Sequence, residues 1–272
     1  MLEVNNMKKY LIVLMIIIIL LISSFLYLNN KKVDNATKIP IITFHRLVPS
    51  DIKESKYKEN VWVGSVDIFE SMMKYIYDNR YKTISTDELY RWLNNEIDLP
   101  RKSVMITFDD GFYEDYYLVY PILKKYNLKA VSFVVGSRIK EITDDYDKNN
   151  TGYIGLDKIN EIRNDYPNFE IESHSYNLHY YTKDKKHAIK IKNREELIDD
   201  INNNSKYNFN VMAYPFGDYN NIIKDVLKES GYKMAFRFTP SRYATKDCDI
   251  YEVPRIKIDG TKNLNYLKKW LD

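Results

Sequence analysis

The most informative stretch of this chain is SVMITFDDG, residues 103–111, in which an apolar run ends in two adjacent aspartates and a glycine. The run predicts a buried strand, and a helical pattern follows it. Neighbouring side chains of a strand point to opposite faces, so Asp109 and Asp110 can serve one site only if the chain turns there. Gly111 permits such a turn. One carboxylate is then available to bind a metal ion, and the other to move protons.

A second polar segment is ESHSYNLH, residues 172–179, which holds two of the four histidines of the chain. His174 follows a strand-like run, and His179 lies five positions later. This spacing fits neither the alternation of a strand nor one face of a helix, so we expect a curled loop to bring the two rings together. Two imidazoles and one carboxylate form a ligand set that suits zinc and leaves a position open for water.

A third segment, AYPFG (residues 213–217), also follows a strand-like run. Its proline and glycine predict a turn at the end of the strand. Such a turn can direct a backbone N–H into a site, where it stabilises an oxyanion. Taken singly, each of the three segments is more simply explained by a helix cap, by surface histidines or by an ordinary turn. Their combination is what favours an active site.

In this order, the three segments resemble the motifs of the polysaccharide deacetylases, the carbohydrate esterases that share the NodB homology domain. The resemblance covers roughly residues 39 to 260. It implies a distorted, incomplete (β/α) barrel of about seven strands, with the active site at the carboxyl ends of the strands. It also implies a role for each of five residues: Asp109 as the catalytic base, Asp110, His174 and His179 as ligands of a divalent metal, expected to be Zn2+, and Phe216 as the backbone oxyanion donor.

Two details are similar to the deacetylases of exopolymeric poly-β-1,6-N-acetylglucosamine, namely the five-residue step between the histidines and the turn sequence AYPFG. That subgroup carries a histidine on an early strand, which matches His45 in IITFHR (residues 41–46). The resemblance implies that His45 is the general acid. The C-terminal Leu-x-His that provides the acid in other members is absent, since no histidine follows His187. The segment VPRI (residues 253–256) resembles the late strand of the subgroup.

The roles of two further residues stay open at this point. His187 competes with His45 for the acid role, but its charged surroundings, KDKKH (residues 183–187), predict a solvated loop. Arg255 has two interpretations of equal weight. It could orient Asp109 through a charge-assisted hydrogen bond, or it could pair with a surface carboxylate.

The resemblance implies that the protein hydrolyses N-acetyl groups of an extracellular N-acetylglucosamine polymer and releases acetate. The β-1,6-linked exopolymer is the expected substrate, and peptidoglycan or a chitin-type glycan is the alternative. A bound divalent cation would activate a water molecule and polarise the amide carbonyl. Asp109 would accept the proton of that water, and His45 would protonate the departing amine.

Two other classes of protein are weighed against this prediction. Two histidines and a carboxylate also form the facial triad of non-haem iron oxygenases, but those enzymes need no second aspartate at the position of Asp109. A membrane-tethered glycan-binding protein without activity is the other class, and the presence of Asp109 argues against it as well.

Residues 10–28 form an apolar run of 19 residues without a charged side chain. A helix of this length measures about 28 Å, close to the roughly 30 Å of a bilayer core. We expect a cytoplasmic N-terminus at 1–9, a transmembrane signal-anchor at 10–28, a stalk at 29–38 and the deacetylase domain at 39–272, outside the cell membrane. A cleavable signal peptide is the alternative, in which case the domain is secreted. Lysine pairs flank both ends of the run, so charge does not fix its orientation.

Composition fits an anchored extracellular domain. The single cysteine, Cys248, cannot form an internal disulfide, so stability must come from the core. The chain has 41 basic and 38 acidic side chains, and residues 1–32 contain four of the lysines and one of the glutamates, which leaves 37 of each in the remainder. A neutral domain has no general attraction for nucleic acid. We therefore exclude nucleic acid as a partner and expect a monomer.

Strand-like and helical segments alternate along the chain, which favours a parallel sheet or barrel. The predicted strands are 38–44, 103–108, 130–135, 169–173, 209–214, 233–238 and 251–258. Helices are predicted around 66–76, 86–93, 113–126, 156–162, 195–202 and 221–230, with a cap at Thr86 and an interruption at Pro121. All three chemical segments lie at the carboxyl ends of predicted strands.

Overall fold

The computed structural model describes residues 13–23, 34–238 and 242–271. The chain divides into two compact units, Met1–Asn35 and Ala36–Asp272. In the first unit, residues 13–23 are helical and their large apolar side chains are exposed. No helix within the described residues is long and apolar enough to cross a membrane. The predicted span also takes in residues 10–12 and 24–28, and the predicted stalk residues 29–33, all of which lie outside the described part of the chain.

Ten strands lie within the described residues of the second unit. They are β1 (Ile41–Phe44), β2 (Arg46–Val48), β3 (Val63–Ser65), β4 (Lys82–Thr83), β5 (Ser103–Asp110), β6 (Ala130–Val134), β7 (Phe169–Ser173), β8 (Val211–Ala213), β9 (Met234–Phe238) and β10 (Val253–Lys257). The α-helices of this unit are Ser50–Lys56, Val66–Asp78, Thr86–Leu93, Tyr120–Lys125, Leu156–Asp165, Ala188–Ile191, Arg194–Asn203, Asn221–Glu229 and Leu264–Leu271.

Seven of the strands form a parallel ring in the order β1, β10, β9, β8, β7, β6, β5, and β5 pairs again with β1. The predicted barrel of about seven strands is confirmed. It is incomplete in strand number compared with an eight-stranded barrel, but its hydrogen-bonded ring is closed. The weakest junction is that of β7 and β8, where Ser173 and Met212 are the paired residues. The short β4 extends the sheet beyond β5, and β2 and β3 form a separate two-stranded sheet.

Along each strand of the barrel, successive side chains point alternately to the barrel interior and to the surrounding layer of helices. Met105, Phe133 and Val253 belong to one buried cluster, whereas Ile106 and Phe108 belong to the cluster that packs against the helices. Asp109 lies four positions after Met105 on β5, and Arg255 lies two positions after Val253 on β10. Each therefore points to the same side of its strand as that apolar residue. Both charged side chains are therefore directed to the interior side of the barrel.

Two local predictions differ from the structure. The helix predicted to be capped by Thr86 is capped by Ser85, whose side chain accepts the N–H of Glu88 while the Glu88 side chain accepts the N–H of Ser85. The proline expected to interrupt residues 113–126 instead lies in the first turn of the helix Tyr120–Lys125, where its missing N–H is tolerated. A wider helical turn, Asp115–Val119, precedes that helix.

Candidate active site

The two adjacent aspartates reach one site because the chain turns at Asp110 itself. Its φ is +77°, in the left-handed region, and Gly111 follows with φ +67°. The turn therefore begins one residue earlier than predicted. Gly111 is still required, because a Cβ atom there would lie 2.7 Å from Cγ1 of Val134. Asp109 lies within β5 and Asp110 is its last residue, where the chain turns, so the two carboxylates occupy different positions in one site.

Asp110, His174 and His179 form the candidate metal centre. One ligand atom from each residue lies within 4.8 Å of the others, and Nε2 of His179 is 3.2 Å from Oδ1 of Asp110. Nδ1 of His174 lies 2.7 Å from the carbonyl oxygen of Ala213. It must carry a proton to make that hydrogen bond, so Nε2 is free to act as a ligand.

The protonation state of the two histidine rings also suits metal binding. Burial lowers the pKa of His174 to about 4, and burial together with the nearby Arg138 lowers the pKa of His179 to about 4. Both rings are therefore neutral at pH 7, as metal ligands must be. Two neutral imidazoles and one carboxylate fit a zinc-type ion with open coordination positions.

The loop between the two histidines is held in its curled form by a helix. Ser175 has φ +66°, and the carboxylate of Asp200 accepts the N–H of Tyr176 at 2.8 Å and that of Asn177 at 2.7 Å. Asp200 belongs to the helix Arg194–Asn203. No pattern in the sequence indicates this role, since Asp200 stands beside Asp199 in an acidic helix.

Asp109 is paired with Arg255 inside the barrel. Nη1 of Arg255 donates to Oδ1 of Asp109 at 2.7 Å, and Nη2 donates to Oδ2 at 2.9 Å. Both side chains are buried, with exposed fractions of 1% and 0%. Burial alone would raise the pKa of Asp109, but the charge of Arg255, helped by His174 and His45, lowers it to about 2. Of the two interpretations of Arg255, the structure therefore selects the pairing with Asp109.

His45 lies at the end of β1, next to this pair. Its Nε2 is 3.9 Å from Oδ2 of Asp109. The ring centroid of Trp62 is 4.6 Å away, and that of Phe238 is 5.8 Å away. Burial lowers the pKa of His45, although the carboxylates of Asp109 and Asp110 act in the opposite direction.

Phe216 lies in the turn after β8, and its ring contacts the metal-ligand candidate His179 at 4.3 Å between centroids. His187 stacks on Phe216 at 4.3 Å, and its Nδ1 lies 3.0 Å from Oδ2 of Asp218. The prediction that His187 lies in a solvated loop is therefore wrong for its imidazole ring, which packs on Phe216. A charge run in the sequence does not reveal that a hairpin folds its last residue back onto the site.

A pocket of about 470 Å³ connects these side chains. Besides the predicted residues, its walls include Tyr57, Trp62, Phe112, Tyr153 and Tyr181. Arg46 connects residues of one wall through hydrogen bonds. The prediction from the sequence assigned no role to this arginine. Its guanidinium donates to Glu114 at 2.8 Å, to the hydroxyl of Tyr57 at 3.0 Å and to Thr151 at 2.8 Å.

The fold and the site together define an α/β barrel with a candidate metal centre and buried titratable side chains at the carboxyl ends of its strands. Residues 96–235, just over half of the chain, match the family described as Polysaccharide deacetylase. The chain belongs to the polysaccharide deacetylase family. It is accordingly a hydrolase that acts on linear amide bonds.

Relatives are consistent with this assignment. The chain is 29% identical, over 213 residues, to the Poly-beta-1,6-N-acetyl-D-glucosamine N-deacetylase of Staphylococcus aureus (strain MSSA476), covering 74% of this chain and 70% of the relative. The structure is similar to the Streptococcus pyogenes deacetylase PplD, with a TM-score of 0.71, 23% identity and coverage of 87% and 99%. It is also similar to IcaB from Ammonifex degensii, with a TM-score of 0.69, 21% identity and coverage of 87% and 97%. The two solved structures show the same fold.

Proposed function

We propose that this protein removes N-acetyl groups from N-acetylglucosamine residues of an extracellular polysaccharide, poly-β-1,6-N-acetylglucosamine, in a metal-dependent reaction that releases acetate. The observation that carries the proposal is the convergence of Asp110, His174 and His179 beside an ionised Asp109. The choice of polymer is supported by the S. aureus relative at 29% identity and by the five-residue step between the histidines.

Asp110, His174 and His179 would hold the cation, and their donor atoms favour zinc. When bound, such an ion supplies Lewis-acid chemistry, since it activates a water molecule and polarises the amide carbonyl. Asp109 is the base that accepts the proton of the attacking water. Arg255 keeps this carboxylate ionised and fixes its orientation through two hydrogen bonds. The backbone N–H of Phe216 stabilises the oxyanion.

Departure of the amine requires a proton, which His45 supplies. Its position 3.9 Å from Asp109 places it next to the group that gains a proton in the first step. Burial favours the neutral form of His45 before the reaction. Asp109 is thus the nearest source of the proton that His45 delivers to the amine.

Replacing His45 by Ala is expected to lower kcat for the acetylated polymer by about 10²-fold or more, because loss of a general acid typically costs 10²–10⁴-fold. The same variant should keep most of its activity on 4-nitrophenyl acetate, whose phenolate leaves without a proton. The measurement is the ratio of the two rates in the variant and in the wild type.

A matched control for this experiment is Trp62→Phe, which changes the ring that packs on His45 and leaves the imidazole in place. It should retain the wild-type ratio of the two rates. Unchanged polymer kinetics in His45→Ala, or an equal loss on both substrates, would assign the acid role to another group.

The substrate is tested by a panel that measures acetate released from poly-β-1,6-N-acetylglucosamine, chitin oligomers and peptidoglycan by the same metal-loaded protein. We expect the highest kcat/KM on the β-1,6 polymer. A clear preference for chitin oligomers or peptidoglycan would replace the exopolymer by a chitin-type or cell-wall glycan. Binding of a glycan without acetate release would make the protein a glycan-binding protein without activity.

The proposed location is the cell membrane, with the enzyme domain on the outer side, or outside the cell if the N-terminal segment is cleaved. The uncharged apolar run of residues 10–28 supports an anchor, and an extracellular polymer as substrate supports the orientation. Recovery of the protein in the cytosolic fraction of lysed cells would contradict this location.

A further inference from the structure

A stack of aromatic rings extends outward from His179. The ring of Phe216 lies 4.3 Å from that of His179, and the ring of His187 lies 4.3 Å from Phe216 with an angle of 11° between the planes. Tyr181 contacts the same stack, at 4.8 Å from Phe216 and 5.0 Å from His187. Phe216 thus contacts both a metal-ligand candidate and a histidine outside the proposed chemistry.

Two sets of contacts hold His187 in place. Its Nδ1 is 3.0 Å from Oδ2 of Asp218, a residue that also receives Nζ of Lys190 at 3.1 Å and the N–H of Tyr219 at 3.2 Å. His187 also forms an antiparallel bridge with Tyr181 at the base of a short hairpin. The ring of His187 is therefore held over Phe216 by a carboxylate on one side and by the hairpin on the other.

Phe216 needs such support because its backbone is in the left-handed region, with φ +60° and ψ +5°. A bulky side chain is rare in that conformation and persists when its surroundings hold it there. Gly217 continues the turn with φ +69°, and a Cβ atom there would lie 2.5 Å from the backbone nitrogen of Phe238. The turn is confined between β9 and the ring stack.

His179 differs from His174 in how its ring is oriented. A metal-binding histidine usually donates its second ring N–H to a carboxylate or carbonyl group, as His174 does to Ala213. The ring of His179 has Asp110 as a polar neighbour, 3.2 Å from its Nε2, and forms a hydrogen bond with its own backbone. Packing on Phe216, 4.3 Å away between ring centroids, adds the contact that ties this ring to the turn after β8.

We propose that His187, clamped by Asp218, is a positioning residue that holds Phe216 in its turn and thereby fixes the ring of His179 for metal binding. His187 acts through its flat ring and transfers no proton. The inference rests on the proposed function only in that His179 is taken to bind the ion.

The test is a zinc titration of the purified full-length protein against a competing chromophoric chelator. His187→Ala removes the ring, and we expect its zinc affinity to fall on the order of tenfold, the lower end of the loss seen when groups that orient metal ligands are removed. His187→Phe keeps a flat ring but loses the contact with Asp218, so it should retain clearly more of the affinity than His187→Ala does. Lys190→Gln is the matched control, since Lys190 also contacts Asp218 but lies outside the ring stack, and its affinity should be unchanged.

Circular dichroism of each variant establishes that it is folded, and if His187→Ala is not, Asp218→Ala releases the same clamp and takes its place. Wild-type zinc affinity in the variant that removes or releases the His187 ring would overturn the inference. A loss in His187→Phe as large as that in His187→Ala would overturn it too, because it would assign a polar or proton-transfer role to the imidazole. The titration uses no glycan, so its result is independent of whether the proposed substrate is correct.

Discussion

Replacing Asp109 by Asn is expected to abolish acetate release while the protein still binds its metal. The amide cannot accept the proton of the attacking water, and loss of a general base typically lowers kcat by about 10²–10⁴-fold. Asp109 is not one of the three residues whose ligand atoms converge, so metal binding should persist. The measurement combines kcat from acetate release with the metal content of the same preparation.

Stability provides the control for this variant. The single substitution leaves the guanidinium of Arg255 buried without its carboxylate, and removal of one partner of a buried ion pair typically costs about 3–5 kcal/mol. The double variant Asp109→Asn/Arg255→Gln replaces the pair by two neutral amides and should recover part of the thermal midpoint, but none of the activity. A near-wild-type rate in Asp109→Asn would remove this residue from the role of base.

Replacing His174 by Ala is expected to remove both the metal and the activity. Nε2 of His174 is one of the three converging donors, and its ring is fixed by the hydrogen bond to Ala213. Without it, one carboxylate and one imidazole remain, which is fewer than the three protein ligands of a typical catalytic zinc site. Acetate release should fall to that of chelator-treated wild type, and the dialysed protein should contain no stoichiometric metal.

Glu172→Gln is the matched control, on strand β7, which leads directly to His174. The carboxylate of Glu172 accepts the N–H of Asn210 at 2.7 Å, and burial raises its pKa to about 7, so a neutral amide can take its place. This variant should keep its metal and its rate. Retention of stoichiometric metal in His174→Ala would contradict the ligand assignment.

The sequence predicts the barrel and the convergence of the site well, because both follow from local patterns. Apolar runs mark the strands, and polar segments placed directly after those runs must meet at one edge of a parallel sheet. This reasoning brings together Asp109, Asp110, His174 and His179, as the structure does, and it places His45 beside them. The catalytic roles of these residues stay predictions until the variants are measured.

The residues that the sequence missed act through contacts between distant segments. Asp200 orders the histidine loop from a helix that looks like any acidic surface helix. Arg46 joins three segments of the pocket wall, one of them more than 100 positions away at Thr151. The charge run that ends at His187 predicts a solvated loop, yet a hairpin returns the ring of His187 to Phe216. Patterns of periodicity carry no information about such contacts, which exist only once the chain has folded.

The most direct measurement for the account as a whole is acetate release from poly-β-1,6-N-acetylglucosamine by the purified protein, before chelation, after chelation and after zinc is added back. We predict that acetate appears in step with new free amines, that it stops on chelation and that zinc restores it. Release that continues at the same rate after complete removal of the metal would contradict the metal centre at Asp110, His174 and His179. The absence of release from any N-acetylglucosamine polymer by metal-loaded protein would contradict the proposed reaction.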